Sequence, residues 1–198
     1  MTIPALILAS TSPYRRAQFQ NLGLRFQQRA PTTDETPRSG EPAESMARRL
    51  AESKARSVAD QMSDGQWIVA GSDQVCHHEG EVMRKPGDFD RASAQLARFS
   101  DSWVSFTTGL SLINQSGRVI TDSETFNIRF KPLTEQVIRK YLETDQPFDC
   151  AGAIKVEQLG VTLLKDTRGR DINSLIGMPL MLLGDLLEHY SLKIMDFK

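Results

Sequence analysis

Residues 102–130 read SWVSFTTGLSLINQSGRVITDSETFNIRF. Apolar and polar residues alternate with a period of two over 102–113 and again over 118–130. That is the pattern of two long strands, each burying one face. Asn114-Gln115-Ser116-Gly117 between them is turn chemistry. Two long strands joined by a tight turn must run antiparallel. Outside this stretch the chain alternates short apolar runs with helical patterns. The pair therefore sits in a sheet whose other members come from strand–helix units, which predicts an α/β fold with a long mixed sheet.

Working towards the N-terminus, Asp88 caps a helix running to about Phe99. Trp67 to Ala70 reads as a buried strand that ends in the polar Gly71-Ser72-Asp73-Gln74. The longest helical pattern covers 41–62, where Ala43, Met46, Ala47, Leu50, Ala51, Ala55, Val58, Ala59 and Met62 recur at helical spacing. Ala5 to Ala9 is a short buried strand. A helix follows to about Leu22, with Ser12 suited to its N-cap, Pro13 to its first position and Gly23 to its stop. Towards the C-terminus, Thr134 starts a helix ending near Glu143, with Glu135 and Gln136 in its first turn. Residues 161–165 read as a short strand, and Pro179 opens a last helix to about His189. The total is about five helices and six strands in mixed order.

The 198 residues carry a net charge of -1, with 39% hydrophobic and 25% charged residues. This is the composition of one globular domain, 1–198. The missing basic excess argues against a general nucleic-acid binder, though not against a local anion site. Cys76 and Cys150 are too far apart in sequence for a structural zinc motif and read as reduced thiols. No apolar run approaches the roughly 20 residues of a membrane span. Met1-Thr2-Ile3-Pro4 has no basic leader region. A cytoplasmic protein with no membrane partner is expected.

Five places carry candidate chemistry. Ser10-Thr11-Ser12 lies between a buried strand and a helix start, where N–H groups and the helix dipole favour an anion. Arg15 and Arg16 occupy that first turn, the wrong sign for the dipole, and arginine grips phosphate bidentately. Lys54 falls on the apolar stripe of its helix, so it either snorkels or meets a negative partner in a cleft. Asp73 follows an apolar strand, where open α/β sheets place ligands. Arg84-Lys85-Pro86-Gly87-Asp88 sets two cations before a turn, and Thr33-Asp34-Glu35-Thr36-Pro37 is an acidic loop. Taken singly these are weak signals, each with a bland reading as a solvated loop, a snorkelling lysine or a turn-capping residue. Together they suit metal-assisted cleavage of a polyphosphate. A P-loop, a dinucleotide fingerprint and a nucleophile elbow are absent. Adjacent His77 and His78 point to opposite faces of a strand and do not share a metal, and His189 reads as structural.

Leu8-Ala9-Ser10-Thr11-Ser12-Pro13-Tyr14-Arg15-Arg16 resembles the signature loop of the Maf family of nucleotide pyrophosphatases. The likeness continues through Asp34-Glu35, Ala51-Glu52-Ser53-Lys54-Ala55, Gly71-Ser72-Asp73-Gln74-Val75, Lys85-Pro86, Ala151-Gly152-Ala153 and Gly177-Met178-Pro179-Leu180. The resemblance implies two α/β lobes around a cleft, similar to the inosine-triphosphate pyrophosphatases. It implies hydrolysis of a nucleoside triphosphate to monophosphate and pyrophosphate with a divalent cation, Mg²⁺ or Mn²⁺, and a homodimer. By motif, Asp73 is the water-activating base and Glu35, Lys54 and Lys85 its catalytic neighbours. Ser10, Ser12, Arg15 and Arg16 are the phosphate contacts, and Glu35 and Asp73 are the carboxylates nearest the metal. Tyr14, Gln74 and Glu157 depart from the dTTP/UTP-cleaving pattern and look like the YceF branch, which prefers 7-methyl-GTP. N7-methylation makes guanine cationic, and a Tyr face and a Glu carboxylate both attract a cation. A dTTP/UTP pyrophosphatase and a non-catalytic septum regulator are the competing readings.

Overall fold

The period-two segments form the spine of a mixed sheet. In the computed structural model, which describes residues 2–63 and 65–198, the elements run in this order: β1 Ala5–Ala9, α1 Pro13–Asn21, β2 Phe26–Arg29, α2 Ala43–Ala59, β3 Trp67–His78, β4 Glu81–Met83, α3 Phe89–Phe99, β5 Trp103–Asn114, β6 Val119–Phe130, α4 Glu135–Asp145, β7 Leu164–Arg168, α5 Ile172–Ile176 and α6 Leu180–Glu188. Short 3₁₀ turns lie at Ala151–Ala153, Leu159–Leu163 and Ile194–Phe197. The strand order is β2-β1-β3-β5-β6-β7, with β4 beside β3. β1 runs parallel to β2 and β3, and the other pairings are antiparallel. No helix among the described residues is long and apolar enough to cross a membrane.

One face of the long strands carries two separate apolar cores. Leu6, Leu8, Ile68, Ala70, Leu110 and Leu112 pack under α6 at one end. Cys76, Val104, Phe106, Phe126 and Ile128 pack under α3 and α4 at the other. Between them, on the same face, lie the polar Ser72, Gln74 and Thr108. The opposite face is covered by α2, whose buried stripe is Met46, Ala47, Leu50, Ala51, Lys54, Ala55 and Val58. The helix lies directly on the strands. A Cβ at Gly71 would sit 2.6 Å from the backbone nitrogen of Ala55, and one at Gly109 would sit 2.8 Å from that of Arg48.

Three sequence expectations need correction. The strand expected to end at Ala70 continues to His78, so Asp73 stands mid-strand rather than at an exit. Its polar residues read as a loop, yet β5 pairs all of them and α2 or α5 covers them. Residues 161–165 are not one strand: a 3₁₀ turn ends at Leu163 and β7 starts at Leu164 as a charged, exposed sheet edge. β2, β4 and α5 were not anticipated, being short and only partly apolar. The histidines behave as expected of neighbours on a strand. His77 meets Thr107 Oγ1 on the α2 side, and His78 packs edge-on against Phe99. His189 is the exposed C-cap residue of α6.

The close approach of α2 gives a direct test. Gly71→Ala or Gly109→Ala should cost about 1–3 kcal/mol through overpacking, a loss of roughly 2–12 °C in Tm for a domain of this size. Thermal denaturation followed by circular dichroism reads it. An unchanged Tm in both variants would show that the helix does not rest on the strands.

Candidate active site

β1 stops at Ala9, opposite Gly71, and β4 pairs with β3 only from Cys76 to His78. On that side of β3, residues 72–75 have no strand neighbour. The loop leaving β1 turns away at this break. Ser12 caps α1, its Oγ accepting from Arg15 N at 3.4 Å, and Pro13 fills the first helical position. The first turn of α1 contains no acidic residue. Ser10 is buried, and its Oγ accepts from Ser12 N at 3.0 Å.

Lys54 does not snorkel. It is 7% exposed. Its ammonium lies 2.5 Å from Asp73 Oδ1 and 2.6 Å from Glu35 Oε1. Asp73 reaches it from the strand beneath, and Glu35 from the loop above. Arg49, also on α2, fixes that loop: it holds Glu41 through Nε at 2.7 Å and Nη2 at 2.6 Å, with Nη2 also donating to Thr36 O. Asp34 turns the loop by accepting from Thr36 N and Oγ1. One helix thus places both the cation and the loop carrying its second carboxylate.

The polar seam of the other face holds α5. Gln74 Nε2 donates to Ser174 O at 2.8 Å and Leu175 O at 3.0 Å, and Thr108 Oγ1 donates to Ser174 O at 2.8 Å. Ser72 Oγ donates to Gly177 O at 2.9 Å, and Arg15 Nε reaches the same carbonyl at 2.7 Å. Gly177 has φ +116°, a left-handed conformation that glycine adopts without strain. Burial lowers the pKa of Arg15, opposed by the carboxylates of Asp73 and Glu35. The guanidinium stays charged regardless.

Two joined cavities of about 580 and 290 Å³ open at this point. The smaller is lined by Ser10, Thr11, Ser12 and Thr33, whose buried Oγ1 has no hydrogen-bond partner among the described residues. The larger has an apolar side of Met46, Leu50, Val75, Val82, Met83, Ile154 and Leu175. Ser12, Tyr14, Arg15, Glu35, Lys54, Lys85 and Asp149 line both. Asp73, Gln74 and exposed Glu157 line the larger. Arg16 is exposed and lines neither. Every other residue singled out for catalysis, phosphate or base from the sequence lines one cavity or both.

This chain belongs to the Maf family. The family model described as Maf-like protein matches residues 5–190. A Pseudomonas aeruginosa protein named 7-methyl-GTP pyrophosphatase is 45% identical over 186 residues, covering 93% of this chain and 96% of that one. Two solved structures are also similar at 16% identity. A HAM1 protein from Coxiella burnetii has a TM-score of 0.45 over 65% of this chain and 73% of its own. A nucleoside-triphosphatase (dITP/XTP pyrophosphatase) from Mycobacterium abscessus has a TM-score of 0.41 over 65% and 75%.

Sequence reasoning missed several residues at this Maf site. Asp149 lines both cavities, and Cys150 Sγ donates to Tyr14 OH at 3.5 Å. Neither lies on a periodic element that would have marked it. Burial, with the charge of Asp149, pushes the Cys150 thiol up to about 11. At neutral pH it is a thiol and not a nucleophile. Burial and the Cys150 contact likewise raise the Tyr14 hydroxyl, which stays protonated.

A divalent cation fits the carboxylates in a limited way. No group of three His, Cys, Asp or Glu side chains that could hold a metal occurs among the described residues. Asp73 and Glu35 share the Lys54 ammonium and are the two carboxylates that would face such a cation. Such a cation would take the rest of its oxygen shell from phosphate and water.

The pair Glu35–Lys54 sets a pH dependence. Burial raises the Glu35 carboxyl, but the hydrogen bond and charge of Lys54, with Lys85 and Arg15 behind it, outweigh burial and hold it below its ordinary value. A depressed carboxyl contributes stability that is present above the unfolded pKa and lost as pH falls through the folded one. Glu35→Gln should therefore lower Tm at pH 7, and the gap to wild type should close between about pH 5 and pH 3. A gap that stays constant over that range would show that the ion pair adds nothing.

Proposed function

We propose that this Maf protein hydrolyses 7-methyl-GTP to 7-methyl-GMP and pyrophosphate. The carrying observation is the ammonium of Lys54 bound by Asp73 and Glu35 where a polar cavity meets a partly apolar one. The polar side, with Ser10, Ser12 and Arg15, suits phosphates. The apolar side suits a base.

Arg15, Lys54 and Lys85 offset phosphate charge. Ser10 and Ser12 shape the loop that receives the chain of phosphates. Asp73 orients a water and takes its proton as the water oxygen bonds to the α-phosphorus. The bond to the bridging oxygen breaks, pyrophosphate leaves with the electron pair, and the proton returns to solvent. Asp73 and Glu35, together with the triphosphate, would hold a divalent cation, Mg²⁺ or Mn²⁺, which would supply further charge neutralisation.

Three side chains support the choice of base. Gln74 spends its amide nitrogen on the α5 carbonyls and Thr108. That fixes the amide so that its oxygen remains as an acceptor. Guanine offers donors at N1–H and the exocyclic amine. Glu157 adds a carboxylate at the same cavity, and the face of Tyr14 suits the cationic ring of an N7-methylated purine.

Pyrophosphate release from 7-methyl-GTP, GTP, dTTP, UTP, CTP and ITP with Mg²⁺ tests this. The methylated purine should turn over fastest, and EDTA should stop the reaction. Asp73→Asn should lower kcat by about 10²–10⁴-fold, the range for losing a general base, without unfolding the protein. Full activity in a folded Asp73→Asn variant would remove the mechanism. Preference for dTTP or UTP would remove the base assignment and leave the chemistry.

A further inference from the structure

Gln18 lies three residues after Arg15 on α1, so the two side chains leave the same face of the helix. It is 6% exposed and lines neither cavity. Its Nε2 donates to Asn173 O at 3.0 Å and reaches Met178 O at 3.4 Å, with Asn173 Oδ1 at 3.5 Å. Those acceptors bracket the segment that ends in Gly177. Asn173 O also accepts from Gly177 N at 3.1 Å and Met178 N at 3.2 Å, so Gln18 grips the carbonyl that closes the turn. Arg15 Nε then meets the Gly177 carbonyl, which Ser72 ties to the strand residue beside Asp73. The guanidinium's two Nη groups make no hydrogen bond or ion pair with the described residues.

We propose that Gln18 is a positioning residue that fixes the Gly177 carbonyl and, through it, aims the Nη groups of Arg15 at the phosphates. This rests on the reading of Arg15 as a phosphate contact. α1 is pinned to residues 173–178 at two points, Arg15 and Gln18. With one removed, Arg15 pivots about a single hydrogen bond. A second observation supports a role beyond packing. Gln18 Oε1 is buried with no partner. An orphaned buried acceptor costs stability. Methionine or leucine would fill the same space without it.

The test pairs Gln18→Met with Arg15→Ala and reads three quantities: Tm, Kd for pyrophosphate by calorimetry, and kcat/KM on the preferred triphosphate. Gln18→Met should keep or raise Tm while weakening pyrophosphate binding about tenfold, the size of one impaired charge-assisted contact. In an Arg15→Ala background the same change should have no further effect on binding, because Gln18 acts through Arg15. Gln18→Glu, isosteric but without the amide donor, should weaken binding at least as much. Equal weakening in both backgrounds would overturn the proposal. So would a lower Tm with unchanged binding per folded molecule. Should Arg15→Ala itself leave pyrophosphate binding intact, the phosphate reading of Arg15 fails first, and that result is distinct from the other two.

Discussion

The site depends on how deeply α2 sinks onto the sheet. Gly71 and Gly109 let helix backbone rest on strand backbone, with no side chain between them at either point. Asp73 stands directly opposite Gly109 in the β3–β5 ladder. A helix at that depth brings the Lys54 ammonium down to the carboxylate. A helix raised by the thickness of two methyl groups would leave Lys54 above an unpaired buried Asp73. Separating a buried pair leaves an uncompensated charge, far costlier than the pair itself. Two glycines with no chemistry of their own therefore determine whether the charged centre can exist. The same helix carries Arg49, which fixes the loop bearing Glu35, so both carboxylates are referenced to one rigid element.

The other face of the sheet solves a different problem. Two apolar cores at its ends leave a polar band across the middle, where Ser72, Gln74 and Thr108 would be costly if unpaired. Their partners are backbone carbonyls of Ser174, Leu175 and Gly177. Asp171 holds that segment in shape. It is buried, its Oδ1 accepts from Asn173 N and Nδ2, and its Oδ2 accepts from Met181 N, which ties α5 to the start of α6. The band thus does two things at once. It satisfies polar groups on the sheet, and it carries Gly177 to Arg15 across the break in the strands.

Much of this was legible where one residue violated its surroundings. Lys54 on an apolar stripe demanded a partner, and the structure supplies two. Ser12-Pro13 marked a helix start, and α1 begins there under a Ser12 cap. Strand periodicity located β5 and β6 to within a residue at each end. Other features were illegible for stated physical reasons. Gly71-Ser72-Asp73-Gln74 looked like an exit from the sheet because their burial depends on α2 and α5, which no local pattern announces. α5 has five residues and is held by side chains about a hundred positions away. Asp149 and Cys150 reach the cavities from a loop, where periodicity gives no orientation.

The charges around the cavities bear on which form of a polyphosphate this site receives. Arg15, Lys54, Arg84 and Lys85 face Asp34, Glu35, Asp73, Asp149 and Glu157, four cations against five carboxylates. A basic pocket would hold a bare triphosphate by charge excess alone. One without that excess does not, because the favourable contacts are offset by carboxylates close by. On the proposed reading Glu35 and Asp73 would hold a divalent cation that would supply the missing positive charge, and the Lys54 ammonium would then be free to turn to phosphate oxygens. Lys54 is suited to that exchange. It is a compact charge on a flexible stem, and it is already shared between two partners rather than locked in a bidentate fork. On the same reading Arg15, whose Nε is committed to Gly177, would stay fixed while Lys54 moves. On that reading the site would pair one cation that is aimed with one that can be traded. That division suits a reaction in which the phosphates must first be held in register and then have their charge redistributed as pyrophosphate leaves.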